Sequence, residues 1–196
     1  MKLTKMVLVL ALLAPAVAFA EGEGLPRSAF LVEMRLGAGA PVGFGGLTAG
    51  GTFTAVPSLL VGARLLDRIQ LGLGFSFLRL SNTGGLGGAT DLNVVTFAPS
   101  FSGDVVKSHD NRVALYLKAG LPIGPVIRCP ANGSCDNSFA IGFDFGVGAR
   151  YSVHRMFAAG LEAGVQGSFI DPQRNDTTGA VTFYGALVGS FYAGGR

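Results

Sequence analysis

The 196-residue chain contains no tryptophan, two cysteines, two histidines and only 14% charged residues. Two cysteines are too few for a disulfide scaffold, and so little charge excludes a disordered tail, which is poor in large apolar groups. The glycines follow no three-residue period, which excludes collagen. Beyond residue 20 there is no unbroken run of the roughly 20 apolar residues that a membrane-spanning helix needs. The uncharged stretch Leu36–Ala63 is cut by glycines, threonines, Pro41 and Pro57, and Val181–Ala193 is too short. Against these absences stand 49% hydrophobic residues, 15 phenylalanines and 31 glycines. Each glycine inside a helix costs roughly 1 kcal/mol relative to alanine. A chain this apolar and glycine-rich therefore either buries its hydrophobic surface in one core or crosses a membrane as strands. Its length suits one domain.

Residues 1–20 read as a cleaved secretory signal peptide. Lys2 and Lys5 form the positive start, Met6–Leu13 the apolar centre, and Ala18-Phe19-Ala20 a cleavage site of small residues. Its removal takes two lysines and lowers the net charge from +3 to +1. Residues 21–196, the expected barrel domain, thus carry no basic excess pointing to nucleic acid.

Within 21–196 the hydrophobic period is two. Eight segments alternate: Phe30–Gly39, Phe53–Arg64, Ile69–Leu80, Leu92–Phe101, Val113–Gly120, Phe139–Tyr151, Phe157–Phe169 and Val181–Tyr192. In the sixth, Phe139, Ile141, Phe143, Phe145 and Val147 stand against Ala140, Gly142, Asp144, Gly146 and Gly148. Segments of about ten residues exceed the usual strand of five or six and match the length that crosses a bilayer at a tilt. Connections are long at 40–52, 81–91, 122–138 and 171–179 and short at 65–68 and 152–155, with 102–112 read in part as strand extension. The expected fold is all-β: an eight-stranded antiparallel up-and-down transmembrane β-barrel with both termini at the short-turn end. Residue type sets the orientation of the faces. The polar face is mainly Gly, Ala, Ser and Thr, small groups that fit a narrow interior, whereas a water-facing sheet carries many long charged side chains. The Phe/Leu/Val face suits lipid, and Arg79, in the apolar register near a strand end, is expected at headgroup level.

The leader, the eight amphipathic strands, the early Gly37-Ala-Gly39-Ala-Pro-Val-Gly43 stretch and the aromatic-rich closing segment Val181–Tyr192 together resemble the OmpA/OmpX-type small outer-membrane β-barrel superfamily. The resemblance spans essentially all of 21–196. It implies a porin-like, monomeric protein of the Gram-negative outer membrane, without cofactor. Its implied partners are outer-membrane lipid, lipopolysaccharide and the barrel-assembly machinery. Two features depart from the family's pattern. Ala193-Gly-Gly-Arg196 follows the last aromatic residue, and without tryptophan an interfacial girdle has to come from Phe and Tyr.

Seven ionisable residues fall on the inner face: Glu33, Arg35, Arg64, Lys118, Asp144, Arg150 and Glu162. Four positive and three negative groups point to compensated pairs, because unpaired charge in a water-poor lumen is expensive. Lys118, Asp144 and Glu162 lie mid-way along three successive strands about 4.8 Å apart, so Lys118 is expected to pair with Asp144 or Glu162. The expected role is an ion network filling the barrel; the other reading is a narrow path for ions. Cys129 and Cys135 enclose a short polar segment of an exported chain and are expected to form a disulfide, worth roughly 2 kcal/mol through loop closure. No catalytic or metal-binding residue is expected. His109 and His154 fall in turns away from the long loops, so no nucleophile and base share one level. Three functions follow as expectations: a structural or surface-interaction outer-membrane barrel contacting partners through 40–52, 122–138 and 171–179; a narrow ion or small-solute channel; and a soluble periplasmic lipocalin-like barrel for an apolar ligand. The residues do not name a loop partner.

Overall fold

The structure, a computed structural model, describes residues 25–44, 54–80, 90–130, 135–170 and 178–194; the leader 1–20 lies outside them. Among the described residues all regular structure is strand: β1 Ala29–Phe44, β2 Thr54–Leu65, β3 Ile69–Leu80, β4 Thr90–Lys107, β5 Val113–Gly120, β6 Ile123–Pro130, β7 Asp136–His154, β8 Phe157–Ile170 and β9 Thr178–Ala193. All pairings are antiparallel, and β9 closes the ring on β1 from Phe30↔Ala193 to Phe44↔Gly179.

Nine strands fill eight places, because β5 and β6 share one between β4 and β7. The register is unbroken across the gap: Gly120 faces Ser100 and Asp144, and Ile123 faces Phe97 and Ile141. The interruption falls at Leu121-Pro122, where proline has no N–H to give to the ladder. Hydrogen bonds still flank it, from Leu121 N–H to Pro99 O (3.1 Å) and from Gly142 N–H to Pro122 O (2.8 Å). The connection expected at 122–138 is therefore mostly strand. Pro122, Pro125 and Pro130 obscure an alternation that continues, with Val126 inside and Ile127 outside. β1, β4 and β9 likewise run further than the hydrophobic alternation alone, to Phe44, from Thr90 to Lys107, and from Thr178.

The strand ends Phe44, Thr54, Leu80, Thr90, Pro130, Asp136, Ile170 and Thr178 lie at one end of the barrel and the short turns 66–68, 108–112 and 155–156 at the other. In the first short turn, Leu66 (φ 51°) and Asp67 (φ 65°) are both left-handed.

The outward face is an apolar belt that includes Phe30, Met34, Leu73, Phe97, Phe145, Leu161 and Leu187, all exposed. Phe75 and Phe97 pack edge to face across β3 and β4 at 5.5 Å. The tyrosines are mostly elsewhere. Tyr116, Tyr184 and Tyr192 are buried in the lumen and Tyr151 alone faces outward, so the expected aromatic girdle falls to Phe. The side chain of Arg79 lies outside the described residues.

The lumen is layered rather than polar throughout. Leu78, Val94, Val126, Ala140, Ile170 and Ala180 form an apolar plug toward the end of the barrel opposite the short turns. Leu25, Ala29, Leu31, Leu60, Ala158 and Tyr192 form a second apolar cluster on the short-turn side. The charged residues lie between these plugs and around the lower one.

Candidate functional site

Alternation delivers one inward side chain from each strand at each level. In the middle of the barrel β1 brings Glu33 and Arg35, β5 brings Tyr116 and Lys118, β7 brings Asp144, β8 brings Glu162, and β9 brings Tyr184 and Ser190. Lys118 Nζ lies 2.5 Å from Asp144 Oδ2 and 3.2 Å from Glu162 Oε1. Arg35 pairs with Glu33, and its Nε lies 3.3 Å from Glu162 Oε2. The Tyr116 hydroxyl donates to Glu162 Oε2 (2.9 Å) and the Ser190 hydroxyl to Glu33 Oε2 (2.8 Å). The Tyr184 hydroxyl lies within hydrogen-bonding distance of Asp144 Oδ1 (2.8 Å) and Glu162 Oε1 (2.9 Å). Glu162 is the hub, a buried carboxylate held by two cations and two phenols.

Glycine makes room for this packing. A Cβ on Gly148 would stand 2.4 Å from Tyr116 Cζ and 2.7 Å from Leu161 O; on Gly164 it would stand 2.7 Å from Tyr184 Cζ and 2.4 Å from Phe145 O. The tyrosine rings lie where a neighbouring side chain would otherwise be.

A second group sits toward the short turns. Asp104 Oδ2 accepts from Arg64 Nη2 (2.7 Å), and Asp104 Oδ1 accepts from Arg150 Nη2 (2.6 Å). Arg64 Nε also donates to Pro26 O (3.0 Å), tying the entering chain to the barrel wall. Arg150 donates to the Tyr192 hydroxyl (3.2 Å) and stacks over the Tyr116 ring at 4.3 Å, linking the two groups. Gln70 donates to Tyr192 (3.0 Å) and accepts from Ser102 (3.0 Å).

All seven ionisable residues named from the sequence thus face the lumen, and Lys118 reaches both Asp144 and Glu162. The residue the sequence reading missed is Asp104. It falls in the 102–112 stretch, where a bulge between Asp104 and Val106 shifts the register and leaves Val105 and Val106 both exposed. With Asp104 the inner face holds four positive and four negative groups, besides Lys107, which lies 3.8 Å from Asp104 and pairs with Asp67 at the turn. The middle group has one excess carboxylate and the lower group one excess arginine, so each compensates the other. The inner tyrosines were also not recognised as members of the network; their signal is their place on the polar register of β5 and β9.

At the turns, burial opposes the charge of Asp67, but the Lys107 ammonium 2.9 Å away, with Arg64 and Arg27, outweighs it and holds the carboxyl below its ordinary range. Asp110 is likewise lowered, by hydrogen bonds from the Ser108 hydroxyl and the Arg112 N–H.

Among the described residues the space around the middle charges is small. One cavity of about 20 Å³ borders Arg35, Ser58, Ser76, Lys118, Asp144 and Tyr184, and another of about 10 Å³ borders Arg35, Gln70, Ser100, Ser102 and Lys118. Each has room for about one water. His109 and His154 both lie by the short turns, apart from the lumen carboxylates, and His154 Nδ1 accepts from Met156 N–H (3.2 Å). Among the described residues no group of three His, Cys, Asp or Glu is placed to hold a metal. On the long-connection side the last β6–β7 pair is Arg128↔Asp136, so the same register carries Cys129 opposite Cys135.

No protein-family model and no curated protein matches the chain. Solved structures do. Neisserial surface protein A superposes with a TM-score of 0.58 at 15% identity, covering 84% of this chain and 97% of that one. Ail, the attachment invasion locus protein of Yersinia pestis, crystallised with the heparin analogue sucrose octasulfate, gives 0.41 at 11% identity, covering 84% and 99%. The N-terminal β-barrel domain of Pseudomonas aeruginosa OprF gives 0.38 at 15% identity, covering 86% and 99%. At these identities the likeness is one of fold.

Proposed function

We propose that this chain, which has the fold of the small OmpA/OmpX-like outer-membrane β-barrels, is a non-enzymatic barrel of the bacterial outer membrane whose role is structural or surface-interacting. The observation that carries the reading is an inside-out distribution: large apolar side chains face outward around the ring, while the buried interior holds a compensated set of charges. In water such a belt would expose far more contiguous apolar surface than soluble monomers do. In a bilayer it meets lipid, and closure into a ring leaves no strand edge unpaired. Residues 1–20 act as the export signal, lipid and the assembly machinery are the partners, and the barrel works as a monomer without cofactor. A bridge between Cys129 and Cys135, opposite each other in register, pins the β6–β7 connection.

The interior favours this role over the other two. A channel requires a continuous aqueous path, whereas among the described residues apolar plugs lie on both sides of the middle charges and the cavities beside Arg35 and Lys118 each admit about one water. A lipocalin-like carrier requires room for a ligand inside and a polar surface outside, the reverse of what is seen. Membrane fractionation with a heat-modifiability gel tests the reading: the folded protein is expected in the detergent-extracted membrane fraction with altered mobility when unheated. Partition of the folded protein into the aqueous fraction without detergent would defeat it. Planar-bilayer recording is expected to show no steady conductance, and sustained single-channel steps would favour the channel. Mass spectrometry without reductant is expected to find the two cysteines linked, and two free thiols would remove the bridge.

A further inference from the structure

We infer that Arg27, Arg68, Arg112 and Arg155 form a basic rim at the short-turn end that holds the phosphate headgroups of anionic phospholipids. The inference rests on the membrane reading and concerns a surface which that reading leaves without a role. Each of the three short turns carries one of these arginines: Arg68 between β2 and β3, Arg112 between β4 and β5, and Arg155 between β7 and β8. Arg27 lies on the chain entering β1. In the ring Arg68, Arg112 and Arg155 lie on turns two strand places apart and Arg27 lies beside the first of these turns, so the four cations are spread around the barrel mouth instead of forming one patch. Arg27, Arg68 and Arg155 are exposed, and Arg112 retains 37% of its side-chain surface.

The height of the rim selects the partner. Every arginine is followed or preceded within three residues by an outward apolar side chain that is itself exposed: Phe30 after Arg27, Leu66 before Arg68, Val113 after Arg112 and Met156 after Arg155. Leu66 is 82% exposed. A cation next to the last side chain of a hydrocarbon-facing belt stands at the headgroup layer, where a long arginine keeps its stem in apolar surroundings and its guanidinium among phosphates. The backbone around the rim is fixed. Arg27 O accepts from Asp67 N–H (2.9 Å), Arg68 O from Asp104 N–H (2.8 Å) and Arg112 O from Ser152 N–H (2.7 Å), while Met156 O, beside Arg155, accepts from Tyr192 N–H (2.8 Å). Among the described residues of these turns the acids are fewer than the cations: Asp67 pairs with Lys107 and also faces Arg27 and Arg64, and Asp110 stands 3.9 Å from Arg112, so the rim keeps a positive excess.

The test places the full chain in nanodiscs of phosphatidylcholine, with or without phosphatidylglycerol, and reads retained lipid by native mass spectrometry. Wild type is expected to retain phosphatidylglycerol over phosphatidylcholine, with the preference falling about fivefold for each arginine removed and weakening with salt. The fourfold Arg→Gln variant (R27Q/R68Q/R112Q/R155Q) is expected to lose it and the fourfold Arg→Lys variant to keep it. Should the glutamine variant not fold, R27Q and R68Q singly give the same reading. Equal retention of both lipids by wild type, or an undiminished preference in the glutamine variants, would overturn the inference while leaving an inserted barrel intact; failure to insert at all would instead count against the membrane reading. Arginine-dependent cosedimentation with isolated peptidoglycan, without a lipid preference, would assign the rim to the cell-wall polymer and overturn the lipid assignment.

Discussion

Asp104 holds two arginines at once, and its loss would leave both Arg64 and Arg150 buried without their carboxylate. Removing one partner of a buried pair costs about 3–5 kcal/mol, and Asp104→Asn is expected to fall in that range in urea unfolding from vesicles. Glu33→Gln should cost less, because Arg35 still faces Glu162. Equal effects would show that the two groups do not act as the separate clusters the distances define. Gly148→Ala is expected to destabilise by about 1–3 kcal/mol, since its new methyl group meets both the Tyr116 ring and the Leu161 carbonyl; a neutral result in the same measurement would mean that β8 yields. At this scale the sequence reveals direction and, for Lys118 with Asp144 or Glu162, a partner, but not the rest of the network. Parity along a strand indicates that Lys118 and Glu162 point inward, because a pleated strand has no other choice. It cannot indicate that Tyr116 lies between Arg150 and Glu162, which depends on the stagger of strands around the ring. Asp104 keeps the inward parity of Ser100 and Ser102 and lies just before the bulge; it escaped because the alternation of large apolar side chains ends at Phe101 and the stretch after it resembles a turn.

Among the elements, the turn Leu66–Arg68 carries an evident conformational cost. A leucine in the left-handed region costs about 1–2 kcal/mol, and asparagine tolerates that conformation well. Leu66→Asn is expected to raise the unfolding free energy by about 1 kcal/mol, while Leu66→Val, branched at Cβ, should lower it; the opposite order would show that contacts of Leu66 outweigh its backbone. The same turn supplies a pH dependence. Asp67 is held below its ordinary range in the folded chain, so its contribution is present above about pH 4 and is lost as pH falls through the folded value. The stability difference between wild type and Asp67→Asn should accordingly be greatest near neutral pH and vanish in strong acid. A gap that widens toward low pH would contradict the sign. Element boundaries were legible where alternation is carried by large side chains, as in β3 and β8. They were illegible at 122–130, where prolines on both faces imitate a loop, although the backbone pairs on either side of Pro122 as if uninterrupted.

For the molecule as a whole, the eight-place ring follows from segment count, length and the small residues of the inner face, and all of these are sequence properties. The apolar plugs above and below the middle charges are a property of assembly, since Leu78, Val94, Val126 and Ile170 converge only when four strands are set in register. Their convergence adds a second barrier to that of the paired middle charges, so replacing Val94 and Val126 with serine together is expected to leave single-channel recordings silent as long as the middle charges stay paired. The seam between first and last strands has a further consequence. Glu33 and Arg35 on β1 meet Ser190 on β9 and Glu162 on β8 only once the ring is shut. Before that moment the two have mainly each other, and the lumen's negative side lacks one of its two cations. Closure is thus marked chemically as well as geometrically. A barrel joined one residue out of step would turn Glu33 and Arg35 toward hydrocarbon, so the network acts as a lock that accepts a single alignment of the two chain ends.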